Sequence, residues 1–124
     1  MSFSQKLRQL LNRPEIIVIP GVYDCLGAKL AEQLGFEIIA TSGFGIAAST
    51  LGLPDYGFLT ATEMLYSVGR IAQSVTLPLI ADMDTGYGNA LNVIRTVKDA
   101  VQLGLAGILL EDQEWPKKCG HFEG

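Results

Sequence analysis

The sequence predicts an α/β protein built on parallel strands, and three observations support this class. Short apolar runs of strand length alternate with amphipathic stretches of helical periodicity along the 124 residues. The predicted strands are apolar on both faces, as in a sheet covered by helices on both sides. Unusual polar residues follow the strand ends, where both eight-stranded barrels and open sheets bind ligands. We favour the barrel, of which this chain is about half, since a complete one needs ~250 residues.

The elements follow in order from periodicity and capping signals. The first half of the chain is predicted to begin with a helix over Phe3–Leu11 and a buried strand over 15–19, which ends at Pro20-Gly21. A helix then runs from the N-cap Asp24 to about Leu34. A strand over 37–41 follows, and after it a turn over 42–45 and a short helix. In the second half, the capping box Thr60–Glu63 is predicted to begin a helix, and a strand over 77–81 follows. A helix from Asn89 to Gly104 is predicted next, with Val93, Val97 and Val101 on its buried side. The last predicted element is a strand over 107–111.

Composition excludes several classes of protein. Hydrophobic residues make up 48% and charged residues 18%, which is too apolar for a disordered segment. No apolar run approaches the ~20 residues that span a bilayer, and no signal peptide is recognised, so the cytoplasm is the expected location. A net charge of −4 without a Lys/Arg cluster argues against nucleic acid or a membrane surface as partner. Cys25 and Cys119 are expected to be free thiols.

The first candidate site follows the third predicted strand, in the segment from Asp82 to Gly88. If the strand continues, Asp82 and Asp84 point to the same side, and two neighbouring carboxylates repel each other unless a cation neutralises them. Mg²⁺ commonly takes one or two carboxylates together with water. A solvated turn with two capping aspartates is the alternative, because an Asp-x-Asp pair is a weak motif by itself.

Three further segments follow strand ends. Glu111, after the fourth strand, could join a metal shell directly or through water, or simply bond its own loop. In Lys117-Lys118-Cys119-Gly120-His121, the two neighbouring cations and the imidazole favour ionisation of the Cys119 thiol, which could then act as an acid, a base or a nucleophile. Gly124 is interpreted as a hinge of this segment. The alternative is an exposed basic loop. Ser42-Gly43-Phe44 offers hydroxyl and backbone donors to a carboxylate, or is a plain turn. Tyr87 and Trp115 are interpreted as loop packing.

Taken together, the ordered motifs resemble the isocitrate lyase / phosphoenolpyruvate mutase superfamily. The resemblance runs from about Pro20 to the end and is strongest to methylisocitrate lyase, dimethylmalate lyase and carboxyphosphonoenolpyruvate mutase-like enzymes. The motifs that carry it are Pro20-Gly21-Val22-Tyr23-Asp24, Thr41-Ser42-Gly43, Leu51-Gly52-Leu53-Pro54-Asp55, Asp82-Met83-Asp84-Thr85-Gly86-Tyr87-Gly88, Glu111-Asp112-Gln113 and Lys117-Lys118-Cys119-Gly120-His121.

The resemblance implies a (β/α)8 barrel, a homotetramer and a Mg²⁺ cofactor. The resemblance implies that Asp82 and Asp84 are metal ligands, with Asp55 and Glu111 in the shell. It implies that the substrate is contacted by Ser42, Gly43, Phe44, Asp82, Cys119 and Gly120. Cys119 would be the acid/base group, supported by Lys117 and His121, while Lys118 is less directly involved. The Lys-Cys-Gly-His loop is usually absent from the C–P mutase branch, so its presence favours cleavage of a carbon–carbon bond.

The implied activity is Mg²⁺-dependent cleavage of a small 2-hydroxy di- or tricarboxylate to an α-keto acid and a second carboxylate. An oxaloacetate hydrolase or decarboxylase of the same superfamily, and a non-catalytic fragment, are the alternatives. The chain departs from the family in length, because strands five to eight are missing. We therefore expect either a truncated piece of a longer chain or completion by another polypeptide, and a lone monomer that is poorly soluble and inactive.

Overall fold

The computed structural model describes residues 1–123 and confirms the α/β class with a parallel sheet. Four strands lie side by side in chain order: β1 (Gly21–Val22), β2 (Ile39–Thr41), β3 (Leu79–Asp82) and β4 (Gly107–Leu109). One row of the sheet runs through Gly21, Ala40, Ile80 and Gly107. Parallel neighbours connected by helices in unbroken chain order are the pattern of a barrel wall, with β1 and β4 at its two edges.

Five helices connect or precede the strands, and each begins after a capping residue. They are α1 (Phe3–Leu11), α2 (Cys25–Gln33), α3 (Gly43–Leu51), α4 (Ala61–Ser74) and α5 (Ala90–Gln102), capped by Ser2, Asp24, Ser42, Thr60 and Asn89. Each cap accepts a hydrogen bond from a backbone N–H group that has no partner within the helix. The predicted caps Asp24, Thr60 and Asn89 are therefore confirmed.

The main core lies between the sheet and the helices that cover it. Fully buried side chains include Ile39, Ile46, Met64, Ile71 and Met83. The apolar face of α4 packs against this core through Met64, Leu65, Val68, Ile71 and Ala72. A second, smaller cluster joins α1 to the amino ends of the strands, where Leu7 and Leu10 meet Ile38 and Ala106. Since α1 covers that end, the opposite, carboxyl end is left for polar residues.

The predicted first strand was wrong. Residues 15–19 make no strand; Ile16 is 93% and Val18 65% exposed. The pairing with β2 instead begins at Pro20, whose carbonyl accepts from Ala40 N, and continues at Gly21–Val22. The physical reason is that an apolar run signals burial, not register, and β1 has a hydrogen-bonding partner on one side only. Ile17 and Ile19 use their apolar surface to pack against the α1 cluster.

Other boundaries also moved. The predicted turn over 42–45 is the first turn of α3, because the Ser42 hydroxyl accepts from Gly45 N at 3.0 Å. The predicted strand over 77–81 pairs from Leu79, and the one over 107–111 pairs only to Leu109, because ladder bonds require a neighbour in register.

The buried side of α5 was also partly mispredicted. Val101 is 71% exposed, whereas Thr96 and Ala100 are the residues that face inward. Hydropathy misses Thr96 because its hydroxyl, donating to the Gly86 carbonyl at 3.0 Å, allows a polar residue to be buried.

Two further predictions concern the whole chain. Cys25 and Cys119 are free thiols, as predicted, and Cys25 packs against the main core. Within residues 1–123, no helix combines the length and the apolarity needed to cross a membrane.

Candidate active site

Two carboxylates meet where β3 ends. Asp82 is the last residue of the strand, and Asp84 adopts a left-handed backbone with φ of 49°. The prediction that Asp82 and Asp84 point to the same side required the strand to continue to Asp84, but the strand ends at Asp82. The turn after it folds back, so Asp84 N donates to Asp82 Oδ1 at 3.2 Å. Thr41, at the end of β2, accepts from Asp82 N through its hydroxyl at 2.9 Å. Adjacent strands thus position Asp82.

Gly43 allows α3 to approach these carboxylates. Its backbone N donates to Asp82 Oδ2 at 3.3 Å. A Cβ atom at this position would lie 3.0 Å from Asp82 Oδ2 and 3.6 Å from Asp84 Oδ1. The N-terminus of α3 therefore lies directly against the acidic pair, where the helix dipole favours negative charge.

Lys117 joins this pair to a third carboxylate. Its Nζ lies 2.8 Å from Asp55 Oδ2 and 2.6 Å from Asp84 Oδ1, with all three side chains at most 8% exposed. Burial alone would lower the pKa of Lys117, but the hydrogen bonds and charges of Asp55 and Asp84 outweigh it and raise the pKa. Burial raises the pKa of Asp84, while Lys117 opposes this rise. Lys117 therefore remains an ammonium ion and favours the ionised form of Asp84.

The carboxylates fit a hard cation chemically. Asp84 Oδ1 is buried and accepts no aligned hydrogen bond, although the Lys117 ammonium is close. Asp55, Asp82 and Asp84 together carry more negative charge than Lys117 balances, and carboxylate oxygens are the ligands that Mg²⁺ prefers. Among the described residues, no three Asp, Glu, His or Cys side chains are arranged as a ready ligand set. The Lys117 ammonium takes up the space between Asp55 and Asp84.

Glu111 reaches the site only through its backbone. Its N donates to the Asp84 carbonyl at 2.8 Å, which joins the segment after β4 to the turn after β3. Its carboxylate is exposed and accepts from the Gln113 side chain. Of the four predicted metal ligands, the structure thus brings together the carboxylates of Asp55, Asp82 and Asp84, and holds that of Glu111 apart.

The thiol segment is attached to the same cluster. Cys119 N donates to the Asp55 carbonyl at 3.2 Å, and Cys119 Sγ lies 3.5 Å from His121 Nδ1. Cys119 is half-buried, while Gly120 and His121 are exposed. Lys117 directs its ammonium to the carboxylates, so His121 is the ionisable group beside the thiol. The Lys118 ammonium donates to the Glu123 carbonyl, and the predicted hinge at Gly124 lies outside the described residues.

The remaining predicted substrate residues lie at the start of α3. The Ser42 hydroxyl accepts from Gly45 N as the helix cap. Phe44 is 50% exposed, and its ring lies edge-on to Phe122 with centroids 6.4 Å apart. Ser42, Gly43 and Phe44 therefore lie between the acidic cluster and the end of the thiol segment.

Sequence reasoning missed two residues that shape the site. Thr41 belongs to the motif Thr41-Ser42-Gly43 but was given no role, yet it is buried and its hydroxyl accepts from Asp82 N. The hydroxyl of Tyr87 is buried without a hydrogen-bond partner in the described chain. Burial, followed by the charge of Asp84, raises the pKa of Tyr87. The signal for Tyr87 was its place in the motif beginning at Asp82, which had been interpreted as loop packing.

Comparison with known proteins supplies the family. A model described as PEP_mutase, phosphoenolpyruvate phosphomutase, matches residues 7–122. The chain is 47% identical over its whole length to 2,3-dimethylmalate lyase of Eubacterium barkeri and covers 43% of that protein. A structure of oxaloacetate acetylhydrolase with the inhibitor 3,3-difluorooxalacetate matches with a TM-score of 0.92 and 44% identity, over 99% of this chain and 42% of the other.

A third match contains a metal ion. Phosphonopyruvate hydrolase in complex with oxalate and Mg²⁺ matches with a TM-score of 0.88 and 40% identity, over 95% of this chain and 41% of the other. Fold and site together define one half of a barrel whose polar face is at the carboxyl ends of its strands. The chain belongs to the phosphoenolpyruvate mutase / isocitrate lyase superfamily. It spans less than half the length of the relatives that it matches.

Proposed function

We propose that residues 1–124 form the N-terminal half of a barrel in a Mg²⁺-dependent carbon–carbon lyase. The substrate would be a small, methylisocitrate-like 2-hydroxy di- or tricarboxylate, cleaved to an α-keto acid and a second carboxylate. One observation carries this proposal: the Asp55 backbone holds the Cys119 segment, while its side chain shares Lys117 with Asp84. The acid/base candidate and the acidic cluster are thus built on one anchor.

The metal would be held by Asp82 and Asp84, with Asp55 and Glu111 in the surrounding shell, partly through water. Bound Mg²⁺ supplies Lewis-acid polarisation of the substrate oxygen and its neighbouring carboxylate. Lys117 favours the ionised form of Asp84 and holds Asp55 and Asp84 together through its two short contacts. The Glu111 backbone is bonded to the Asp84 carbonyl, and its carboxylate would leave Gln113 to join the shell.

The substrate carboxylate would lie at the N-terminus of α3. Backbone N–H groups of the first turn and the dipole of the helix favour an anion there. The Ser42 hydroxyl adds a side-chain donor, and Gly43, which has no Cβ, lets the start of α3 lie against Asp82. Phe44, and Gly120 from the thiol segment, would also contact the substrate.

Cys119 would supply the proton that cleavage requires. When the carbon–carbon bond breaks, its electron pair remains on the departing carboxylate fragment, and the Cys119 thiol protonates that carbon. The substrate hydroxyl would give its proton to His121 as it becomes the keto group. His121 Nδ1, which lies 3.5 Å from Sγ, would pass that proton on to the thiolate, so the proton that Cys119 delivers to carbon is replaced and the reaction balances. Closure of the segment would exclude water from the carbanionic fragment.

A carbon–carbon lyase is favoured over the C–P mutase reaction by one feature: the Lys117–His121 segment is the motif that the C–P mutase branch usually lacks. Overall similarity does not separate the two reactions, because a lyase and a phosphorylmutase are 47% and 48% identical to the chain. The resemblance also leads us to propose a homotetramer, and a cytoplasmic location in keeping with the two free thiols.

The test is turnover by the whole protein, with its remaining strands, of 2-methylisocitrate, isocitrate, 2,3-dimethylmalate, oxaloacetate and phosphonopyruvate. Keto-acid release from a 2-hydroxy acid that stops with a chelator and collapses in Asp82→Ala and Cys119→Ser is expected. Asp99→Asn on α5 and Cys25→Ser in the core are matched controls that should keep activity. Oxalate release from oxaloacetate alone would identify the hydrolase alternative. No turnover of any acid would contradict an enzymatic role.

A further inference from the structure

Three aromatic side chains from separate segments meet beside the site. Phe122 stacks on Tyr56 with centroids 4.9 Å apart and 22° between the planes. It also meets Phe44 edge-on at 6.4 Å and 62°. We call Phe44, Tyr56 and Phe122 the aromatic trio. Phe44 is 50% and Tyr56 42% exposed, so the trio lies on the surface rather than in the core.

The trio completes a series of anchors for the thiol segment. The first is the buried contact of Lys117 with Asp55, and the second is the hydrogen bond from Cys119 N to the Asp55 carbonyl. The third is the ring of Phe122 on Tyr56, the residue next to Asp55. Gly120 and His121 lie between the second and third anchors and are exposed. Phe122 therefore fixes the far end of the stretch that carries the thiol and the imidazole.

Phe122 is also coupled directly to the geometry of Cys119. Its backbone N donates to the Cys119 carbonyl at 3.1 Å, which closes a turn over Cys119, Gly120 and His121. The Sγ–Nδ1 contact of 3.5 Å is made inside this turn. Since Gly120 leaves the turn free to change its backbone angles, the contacts of the Phe122 ring limit where the thiol lies.

We propose that Phe122 is a positioning residue: through the aromatic trio it holds the turn of Cys119 and His121 over the acidic cluster. The proposal rests on the proposed function in so far as Cys119 is the proton donor. Phe44 connects the trio to the part of the site where the substrate would bind, because Phe44 follows Gly43, whose backbone N donates to Asp82 Oδ2. The trio thus joins the thiol segment to both the Asp55 segment and the start of α3.

The first experiment measures how accessible Cys119 is, and it needs no substrate. Iodoacetamide alkylation is followed by mass spectrometry at about pH 10, where thiols in general are ionised, with Cys25 as internal reference. Aromatic pairs shift an equilibrium about two- to tenfold each, so Phe122→Ala is expected to raise the Cys119/Cys25 rate ratio about fivefold or more. Phe122→Tyr should keep the original ratio, and so should Tyr66→Ala, which removes an exposed aromatic ring on α4.

The second experiment uses the active whole enzyme. Phe122→Ala should lower kcat about 10- to 100-fold, the scale of a 1 Å misplacement, with KM within about twofold and Phe122→Tyr restoring the rate. A rate ratio in Phe122→Ala that matches the unmodified protein or Tyr66→Ala, or an unchanged kcat, would overturn the positioning role. If the unmodified enzyme turns over no acid, only the proposed function is contradicted. The Cys119/Cys25 alkylation ratio still shows whether the aromatic trio holds the turn.

Discussion

The buried charges around Lys117 and the exposed turn from Cys119 to His121 lie side by side but are held in opposite ways. Lys117, Asp55 and Asp84 are almost inaccessible and joined by short ionic contacts. The turn is held by one backbone bond to Asp55, one internal bond and surface aromatic contacts. A buried ion pair tolerates little movement, since breaking it leaves an uncompensated charge. The acidic cluster is thus held by buried charges, and the turn is held by weaker contacts at the surface.

The largest effect is expected from breaking the buried cluster. Lys117→Met leaves Asp55 and Asp84 without a cation, and the free energy of unfolding should fall by about 3–5 kcal/mol. Urea titration of the whole protein measures it. Lys98→Met, at an exposed position of α5, is the control and should stay within about 0.5 kcal/mol.

A second variant checks the cause of that loss. Adding Asp55→Asn to Lys117→Met removes one of the two orphaned charges, so part of the lost stability should return. If the double variant is as unstable as the sum of the single ones, the ion pair is not what makes Lys117 important.

A smaller effect is expected where Thr41 supports Asp82. Thr41→Val removes the hydroxyl that accepts from Asp82 N and leaves a part-buried N–H group without that partner, which costs about 1–3 kcal/mol. Thermal unfolding compares Thr41→Val, which keeps the size of the side chain, with the unmodified protein, and Thr41→Ser, which keeps the hydroxyl, measures the cost of losing the methyl group alone. A melting temperature of Thr41→Val equal to that of the unmodified protein would show that the bond contributes nothing.

Gly43 allows stability and metal affinity to be separated. In Gly43→Ala the new Cβ would press on Asp82 Oδ2 from 3.0 Å, while alanine is the better helix former. Unfolding stability should therefore change little, whereas affinity for Mg²⁺ in the whole protein should fall about tenfold. Isothermal titration calorimetry measures the affinity. Gly21→Ala, whose Cβ would meet nothing closer than Ser42 at 4.0 Å, should bind Mg²⁺ normally.

The sequence predicted this buried region better than the exposed one, for physical reasons. Asp82 and Asp84 were identified because carboxylates directly after an apolar strand are conspicuous, whereas Asp55 was named only through the family resemblance. Helix caps such as Thr60 are local signals. The first strand was misplaced because register depends on a distant partner, which residues 15–19 do not reveal. Two contacts depend on how the intervening chain folds: the stacking of Phe122 on Tyr56, and the bridge that Lys117 makes to Asp55, which is 62 positions away. No local pattern encodes such contacts.

The smallest effect is expected at an exposed carboxylate remote from the cluster. Glu63 accepts from the backbone N and hydroxyl of Thr60, and these bonds lower the pKa of Glu63. A lowered pKa in the folded state stabilises the protein above the unfolded value of about 4.5, and this contribution is lost as pH falls through the folded pKa. Glu63→Gln should therefore flatten the fall of the melting temperature between about pH 5 and pH 3. Because Glu63 is fully exposed, solvent screens the interaction, and the flattening should be far smaller than the loss in Lys117→Met. If Glu63→Gln changed the stability as much as Lys117→Met does, burial would not be what makes the interactions of a charged group strong. The contrast between buried and exposed charges would then be wrong.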